Sequence, residues 1–572
     1  MKILALHVDY IEWEGLKKAL KDMEDLPALE TSKKRVEEAL AVLTAVEKGD
    51  SIKSVAELVK NVNDISEKVG TKRIVLYPYA HLSRNLGSPE KAVEILKESE
   101  RELKEKGFEV SRAPFGYYKT FELRVKGHPL SELSREIVIK ADEKELSTEE
   151  RKRLWKVMEK NKVQAIRGQN DKKSNVELGK ELDLYIVNDV IGQGLPLLTP
   201  KGTAIKREIE RFIVDEELKR GYEHTATPVM AKSDLYKISG HWQHYKDGMF
   251  VLPVGNEDFA LRPMTCPFQF VLYKRKPRSY KDLPKKYAEI ATLFRNEQSG
   301  ELRGLTRVRQ FTLADAHIIC TPEQVEEEFG KVMDLINYVM KVFSIEITYR
   351  FSKWDPKNEN NKYINDPKAW DETQAAMKNI LDKLKINYTE ADGEAAFYGP
   401  KLDLQYKDVY GKEDTLITIQ IDFSNAGKFG MTYLDKDGKE KTPMIIHRSS
   451  TGATERVISY ILEKTQGNLP LWLSPIQVRI LPMNEKNVKF SQKLKKKFID
   501  SGFRVEIDDS NESLGKKVRN AQLERVFYMV TIGDKEEESK TISVRSRDGS
   551  LEHNVQILQF ISKLKKEINK KR

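Results

Sequence analysis

Short apolar runs at 3–8, 73–77, 108–112 and 117–125 read as strands, and helix-period patterning fills 15–46 and 90–106. Residues 1–143 therefore read as a separate α/β domain. A charged, apolar-poor stretch from Ala141 to about Asn175 follows, with Thr148-Glu149-Glu150-Arg151-Lys152-Arg153 and Asp171-Lys172-Lys173-Ser174 inside it. It predicts a partly helical linker, taken as 144–185. Strands punctuated by Gly and Pro fill 186–468, which predicts a mainly antiparallel sheet with flanking helices. Near Leu469-Pro470-Leu471-Trp472 the pattern changes again. From 469 to 572, strands at 478–481, 504–507, 528–532 and 542–545 alternate with helices near 487–500, 513–524 and 554–568. That predicts a compact α/β domain with a mixed sheet. The fold class is α/β and α+β, multidomain.

Composition adds a few constraints. The length of 572 residues suits three or four domains, and 39% hydrophobic residues give ample core material. A net charge of +10 favours a polyanionic partner such as RNA, although a generally lysine-rich composition gives the same number. Two cysteines, Cys266 and Cys320, exclude a disulfide scaffold and fit a reducing, cytoplasmic setting. The apolar start is too short for a signal peptide, and no apolar run approaches the roughly 18 residues of a membrane span, so no membrane association is expected.

Three segments carry candidate chemistry. The first is Phe294-Arg295-Asn296-Glu297, which leads through a Gly-containing loop into Arg307-Val308-Arg309-Gln310-Phe311 and on to Asp315-Ala316-His317. Strand alternation sets Arg307, Arg309, Phe311, Asp315 and His317 on one face. Arginine suits phosphate, glutamate an adenine amino group and phenylalanine ring stacking. An exposed hairpin with salt bridges gives the same pattern. The second is Gly452-Ala453-Thr454-Glu455-Arg456, opening a helix with Arg456 in its first turn. The third is scattered: Cys266, His317 and His447 are zinc-type ligands, and three protein ligands leave a position open for substrate. Isolated histidines between apolar residues are also ordinary core residues. His241 and His244 have metal-type spacing, but they do not read as a second metal site.

Together these segments resemble the motifs of class II aminoacyl-tRNA synthetases, and the Cys266, His317, His447 set resembles the threonyl-tRNA synthetase family. Gly221-Tyr222-Glu223-His224-Thr225-Ala226-Thr227-Pro228 looks like the first class II motif, which implies a homodimer with Pro228 at its interface. The resemblance implies Arg295 on the ATP α-phosphate, Arg456 on the γ-phosphate, and Glu297, Arg307, Phe311 and Asp315 around nucleotide and substrate. It implies magnesium with the ATP, and one zinc holding the amino and hydroxyl groups of L-threonine. That excludes valine, whereas serine differs by one methyl and needs later removal. Tyr398, Lys401 and Gln420 match the family's pocket, while Leu313 replaces a polar residue of bacterial relatives. Residues 239–246 look like the family's substrate-closing loop.

The bacterial editing motif His-Glu-x-x-x-His is missing. Residues 8–14, 77–83 and 112–119 instead resemble an archaeal-type, D-aminoacyl-tRNA deacylase-like editing domain. There Lys119 and Tyr118 would place water and the ester of seryl-tRNA, and His81 and Glu132 would shape the pocket. On spacing alone, Lys119 is a strand-edge residue after two tyrosines. The last hundred residues resemble an anticodon-binding domain, with Asn511, Arg519, Glu536 and Arg545 at the positions that contact threonine tRNA. The lysine clusters 493–497 and 563–566 read as solvated helix faces. Rivals are a class II enzyme for proline or serine, a stand-alone deacylase scaffold and a non-charging tRNA-binding relative, and intact Arg295, Glu297 and Arg456 argue against the last.

Overall fold

The computed structural model describes every residue except 21–25, 84, 138–147, 159–171, 358–362 and 572. The expected boundary at 143/144 and the middle of the expected linker lie outside the described residues. The chain divides into two compact units, Met1–Leu146 and Ser147–Arg572.

The first unit contains β1 (Lys2–Lys18), β2 (Lys34–Ala45), α1 (Lys53–Val69), β3 (Arg73–Pro78), α2 (Pro89–Glu105), β4 (Glu109–Arg112), β5 (Tyr117–Val125) and β6 (Glu132–Glu136). Its sheet runs β4-β3-β2-β1-β5, and β6 also pairs with β1. The long β1 holds β6 along Lys2–Leu6 and β5 along Val8–Lys18, with β2 on its other edge. Among the described residues, the helix expected over 15–46 is reduced to one turn at Ala28–Thr31. Its ends are instead strands, and α1 lies where no element was expected. Residues 39–45 are apolar except for Thr44, and all are buried at the centre of the sheet. Such a run has no strand alternation and resembles a buried helix until its neighbours are known.

In the second unit the elements are α3 (Asn175–Glu181), β7 (Tyr185–Ile186), α4 (Pro200–Lys219), β8 (Glu223–His224), α5 (Cys266–Lys274), β9 (Lys285–Phe294), β10 (Gln310–Cys320), α6 (Val325–Phe343), β11 (Thr348–Ser352), β12 (Tyr388–Ala391), β13 (Lys401–Lys407), β14 (Glu413–Asp422), β15 (Met444–Ala453) and α7 (Thr454–Thr465). Eight strands form one sheet in the order β12-β11-β13-β14-β15-β10-β9-β8, parallel only at its two outermost pairs. The antiparallel expectation therefore holds for the central strands. One core cluster under this sheet takes Ile318, Phe329, Ile336, Ile419, Ile446 and Ile458, all buried.

Toward the C-terminus come β16 (Val478–Pro482), α8 (Val488–Asp500), β17 (Val505–Ile507), α9 (Leu514–Leu523), β18 (Tyr528–Ile532), β19 (Thr541–Ser546), β20 (Leu551–Gln556) and α10 (Ile557–Asn569). The mixed sheet β17-β16-β18-β19-β20 matches the expected pattern, with β20 as an added edge strand. The sequence 551–556 is Leu-Glu-His-Asn-Val-Gln and almost wholly exposed, so it carries too little apolar alternation to announce a strand.

Helix α4 binds these parts together. Thr199 caps its start by accepting the Gly202 N–H. Lys201 pairs with Glu524 at 2.9 Å and Glu208 with Arg504 at 3.0 Å, both in the C-terminal α/β region. Lys206 reaches Glu455 at 3.1 Å, and Glu217 makes a fully buried pair with Arg448 at 2.6 Å.

Candidate functional site

The strand register builds the site. His317 on β10 stands directly opposite His447 on β15, which stands opposite Gln420 on β14, which stands opposite Lys401 on β13. Directly opposed residues share a face, so four side chains form a row across four strands. Cys266, at the start of α5, completes a cluster in which one ligand atom each from Cys266, His317 and His447 lie within 4.8 Å of one another, all buried.

The surroundings fit a metal ion. His317 Nδ1 meets the Gln269 amide oxygen at 2.6 Å, and His447 Nε2 meets Asp422 at 2.8 Å. Each ring thus has one nitrogen held by an outer acceptor and the other left for a metal, as in well-made zinc sites. Asn425 and two backbone N–H groups in turn hold the Asp422 carboxylate. Burial holds His317 well below its usual pKa, so its imidazole is neutral and ligand-ready. Burial, with Asp315 and Asp422 nearby, pushes the Cys266 thiol upward, a cost that a bound cation would offset. Two helper residues escaped the sequence reading. Gln269 lies one turn beyond Cys266, a spacing that could have revealed it, and Asp422 lies two residues beyond Gln420 on the same strand face. Asp422→Asn is expected to lower zinc affinity 10–100-fold, read by competition with a chelator; unchanged affinity would leave Asp422 without this role.

A cavity of about 320 Å3 opens from this cluster along β10, β14 and β15. Arg295, Glu297, Arg307, Phe311, Asp315, Tyr398, Gln420 and Arg456 all line it, as do the three metal-type ligands. The Arg295 guanidinium sits 5.0 Å from the Phe311 ring centre. Glu297 accepts from Arg307 Nε at 2.9 Å, and Tyr398 donates to Gln420. Arg456 Nε donates to the Thr306 carbonyl at 3.0 Å. Glu455 is held by Lys206 and by the Thr312 N–H at 2.8 Å, which fixes the first turn of α7. Gly452, at φ +77°, lies where a Cβ would come within 2.1 Å of the Leu416 carbonyl, so only glycine lets β15 turn into α7 there.

Two expectations need correction. Lys401 continues the row, but its ammonium pairs with buried Asp403 at 3.1 Å, and it is not among the residues lining the cavity. Arg309 does not join Arg307 on the cavity wall: it precedes β10 and donates to the backbone carbonyls of Glu297 and Gln193. His241 and His244 build no second metal cluster among the described residues. His241 is buried against Ser239, and His244 stacks on Phe397 at 5.1 Å.

The first unit holds a separate cavity of about 570 Å3, lined by Tyr77, Tyr79, His81, Tyr118, Lys119 and Phe121 among others. The Lys119 ammonium donates to the carbonyls of Pro114 at 2.9 Å and Tyr117 at 3.4 Å, and burial lowers its pKa to about 8. Glu132 is not brought to this cavity. It stands opposite Leu6 on β1, whereas Lys119 stands opposite Gly15, nine residues farther along and so roughly 30 Å away at strand rise. In the C-terminal region Asn511, just before α9, and Arg519, on α9, are exposed. Glu536 accepts from Ser543 Oγ at 2.7 Å and the Gly533 N–H at 3.0 Å, and Arg545 donates to the Gly549 carbonyl at 3.3 Å, so these two are engaged locally.

Comparison with known proteins settles the family. The RNA binding domain of threonyl-tRNA synthetase from Cryptosporidium parvum Iowa II superposes with a TM-score of 0.66 at 34% identity, covering 69% of this chain and 98% of that one. The chain belongs to the threonyl-tRNA synthetase family. Residues 1–137 match the archaea-specific editing domain of threonyl-tRNA synthetase, 251–465 the class II core domain of synthetases for G, H, P, S and T, and 477–567 an anticodon binding domain. A threonine–tRNA ligase of Clostridium perfringens is 54% identical over 402 residues, 69% of this chain. The chain spans 62% of that relative's length. A prolyl-tRNA synthetase from Cryptosporidium parvum, at 16% identity and a TM-score of 0.53, shares the fold. Among the described residues, no helix is long and apolar enough to cross a membrane.

Proposed function

We propose that this member of the threonyl-tRNA synthetase family activates L-threonine with magnesium-ATP, transfers it to threonine tRNA, and hydrolyses seryl-tRNA in its first unit. The observation that carries the reading is a Cys-His-His cluster opening into the same cavity as Arg295 and Arg456. Zinc bound there would supply an electrophilic site for an amino and a hydroxyl group. The chain's own residues do the rest. Gln420 and Tyr398 hold the amino acid beside the cluster, and Arg295 and Arg456 fix the phosphates. Phe311 offers the adenine a face and Glu297 an acceptor. Carboxylate attack on the α-phosphate then needs alignment and charge stabilisation rather than a side-chain nucleophile.

In the first unit Lys119, Tyr118 and His81 would place the ester and water. Exposed Asn511 and Arg519 are the best-placed of the four anticodon positions to meet bases. Exposed Pro228, Val229 and Met230 support a homodimer through this segment. A cytoplasmic location fits two unpaired, buried cysteines.

Amino-acid-dependent ATP–pyrophosphate exchange tests the reading. Threonine should give the strongest signal, serine about 10–200-fold less, and valine lower by about 10^4 or more, because a site that ligates a hydroxyl leaves a polar group unpaired when it is missing. Valine exchange equal to serine would refute the metal-based selection. Silence with every amino acid would favour the non-charging relative.

A further inference from the structure

The strands β9 and β10 are joined by a loop whose shape is set from far upstream. Asn175, at the start of α3, is buried. Its carboxamide oxygen accepts the Leu305 N–H at 3.1 Å and the Tyr185 hydroxyl at 2.8 Å. Its amide nitrogen donates to Glu463 Oε1 at 2.7 Å, and its backbone N–H donates to the same oxygen at 2.9 Å. One side chain thus joins three elements: β7, the 303–307 loop and α7. At Gly304, with φ +47°, a Cβ would lie 2.3 Å from the Asn175 amide oxygen, so the loop needs glycine to come this close.

The same assembly reaches the phosphate-facing arginine. Along α7, one turn back from Glu463, the Ser459 hydroxyl meets Thr306 Oγ1 at 2.8 Å, and two turns back Arg456 Nε donates to the Thr306 carbonyl at 3.0 Å. Arg303 anchors the loop's other side through Asp408 at 2.9 Å. Upstream of Asn175, the Lys173 N–H donates to Gln466 at 2.8 Å, and Ser174 and Glu177 form a capping box, so the segment that delivers Asn175 is itself fixed. Lys173, Ser174, Asn175 and Glu177 themselves fall outside the three class II motif segments.

We propose that Asn175 is a positioning residue for the nucleotide, holding the 303–307 loop against α7 so that Arg307 and Glu297 face the cavity beside Arg456. The inference rests on the adenylation reading above. No residue of similar size replaces it. Aspartate keeps the acceptor for Leu305 but sets a second carboxylate against Glu463. Alanine leaves the Leu305 N–H, the Tyr185 hydroxyl and Glu463 without their shared partner in a buried site.

The test compares Asn175→Ala, Asn175→Asp and the double substitution Asn175→Asp with Glu463→Gln, reading KM for ATP and for threonine in the exchange assay together with Tm. Asn175→Ala is expected to raise KM for ATP about tenfold while KM for threonine stays within about twofold, since a loop displaced by a fraction of an ångström misplaces the nucleotide and not the metal-side pocket. Asn175→Asp should move the same way. The double variant should recover part of the loss, because the glutamine amide can donate to the aspartate carboxylate once its carbonyl oxygen has turned to the residue-175 N–H that Glu463 Oε1 accepts here. Should the single variants fail to fold, the double variant decides alone, with near-native KM for ATP supporting the proposal and a tenfold rise overturning it. An unchanged KM for ATP in a folded alanine variant overturns it, as does an equal rise for both substrates that follows a fall in Tm. Should the unsubstituted protein exchange with no amino acid, the adenylation reading fails. Calorimetric binding of a non-hydrolysable ATP analogue to the same variants then still decides the role of Asn175, with about tenfold weaker binding to Asn175→Ala supporting it and equal binding overturning it.

Discussion

Cys266→Ala is expected to empty the metal site and to lower threonine-dependent exchange by at least about a hundredfold. Outer-shell partners of zinc ligands already cost 10–100-fold when removed, and a direct ligand should cost more. The site has three donor side chains. Losing the thiol leaves two imidazoles, each already bound to an outer acceptor at its second nitrogen. Two ligands are fewer than the three protein ligands that even an open zinc site keeps, so metal should be lost and not merely loosened. Elemental analysis of the purified variant reads the first effect, and exchange with threonine and valine in parallel reads the second. One zinc per chain with threonine still preferred over valine would remove Cys266 from the ligand set. Cys320 offers an internal control, since it is buried in the core cluster beneath the sheet. Cys320→Ala should keep its metal.

Lys119→Ala should leave charging of tRNA with threonine unchanged and slow deacylation of seryl-tRNA by about 10^2–10^3-fold, the usual cost of losing one preorganised electrostatic donor. The two sites lie in different compact units, which predicts that their losses separate. The side chain already donates to two carbonyls and sits 5.1 Å from the Tyr77 ring, contacts that favour its charged form. Burial works against that charge and brings its pKa down to about 8. The ammonium is therefore the main form at pH 7 and is lost as the pH rises through 8. If the cation orients the ester, the rate attributable to Lys119 should fall across that range, once hydroxide-driven hydrolysis measured on the alanine variant is subtracted. A rate that climbs instead would make the neutral amine a base. Loss of charging in Lys119→Ala would refute the separation of sites.

Much of the candidate cavity is legible in the sequence, because its residues fall in short local segments with rigid consequences. A strand that carries Phe311, Asp315 and His317 on alternate positions must present them together, whatever the rest of the chain does. The row His317, His447, Gln420 was readable only as separate strands, since register between β10, β15 and β14 is set by long-range pairing. Lys401 shows the limit: its motif position was right for the row, yet the charge of Asp403, two residues on, decides where its ammonium goes. The first unit was read less well. Residues 39–45 look helical because burial on both faces removes alternation, and the long reach of β1 then sets Glu132 and Lys119 at opposite ends of one strand. Asn175 was invisible for a different reason. Its partners Tyr185, Leu305 and Glu463 are scattered over the chain and belong to no shared pattern.

Helix α4 bears on how freely this chain could be recombined with its relatives. An anticodon-binding region is commonly regarded as an exchangeable cartridge, and residues 477–567 match such a module on their own. Here the cartridge is keyed. Lys201 and Glu208 on α4 require Glu524 and Arg504 in any graft, while Lys206 and Glu217 on the same helix hold Glu455 and Arg448 beside the catalytic cavity. A chimera that swaps the C-terminal region without its two complementary charges would leave one cation, Lys201, and one anion, Glu208, unmatched along the helix that braces the candidate site. Successful exchange among these proteins should therefore track the pairing of four side chains more closely than overall sequence identity.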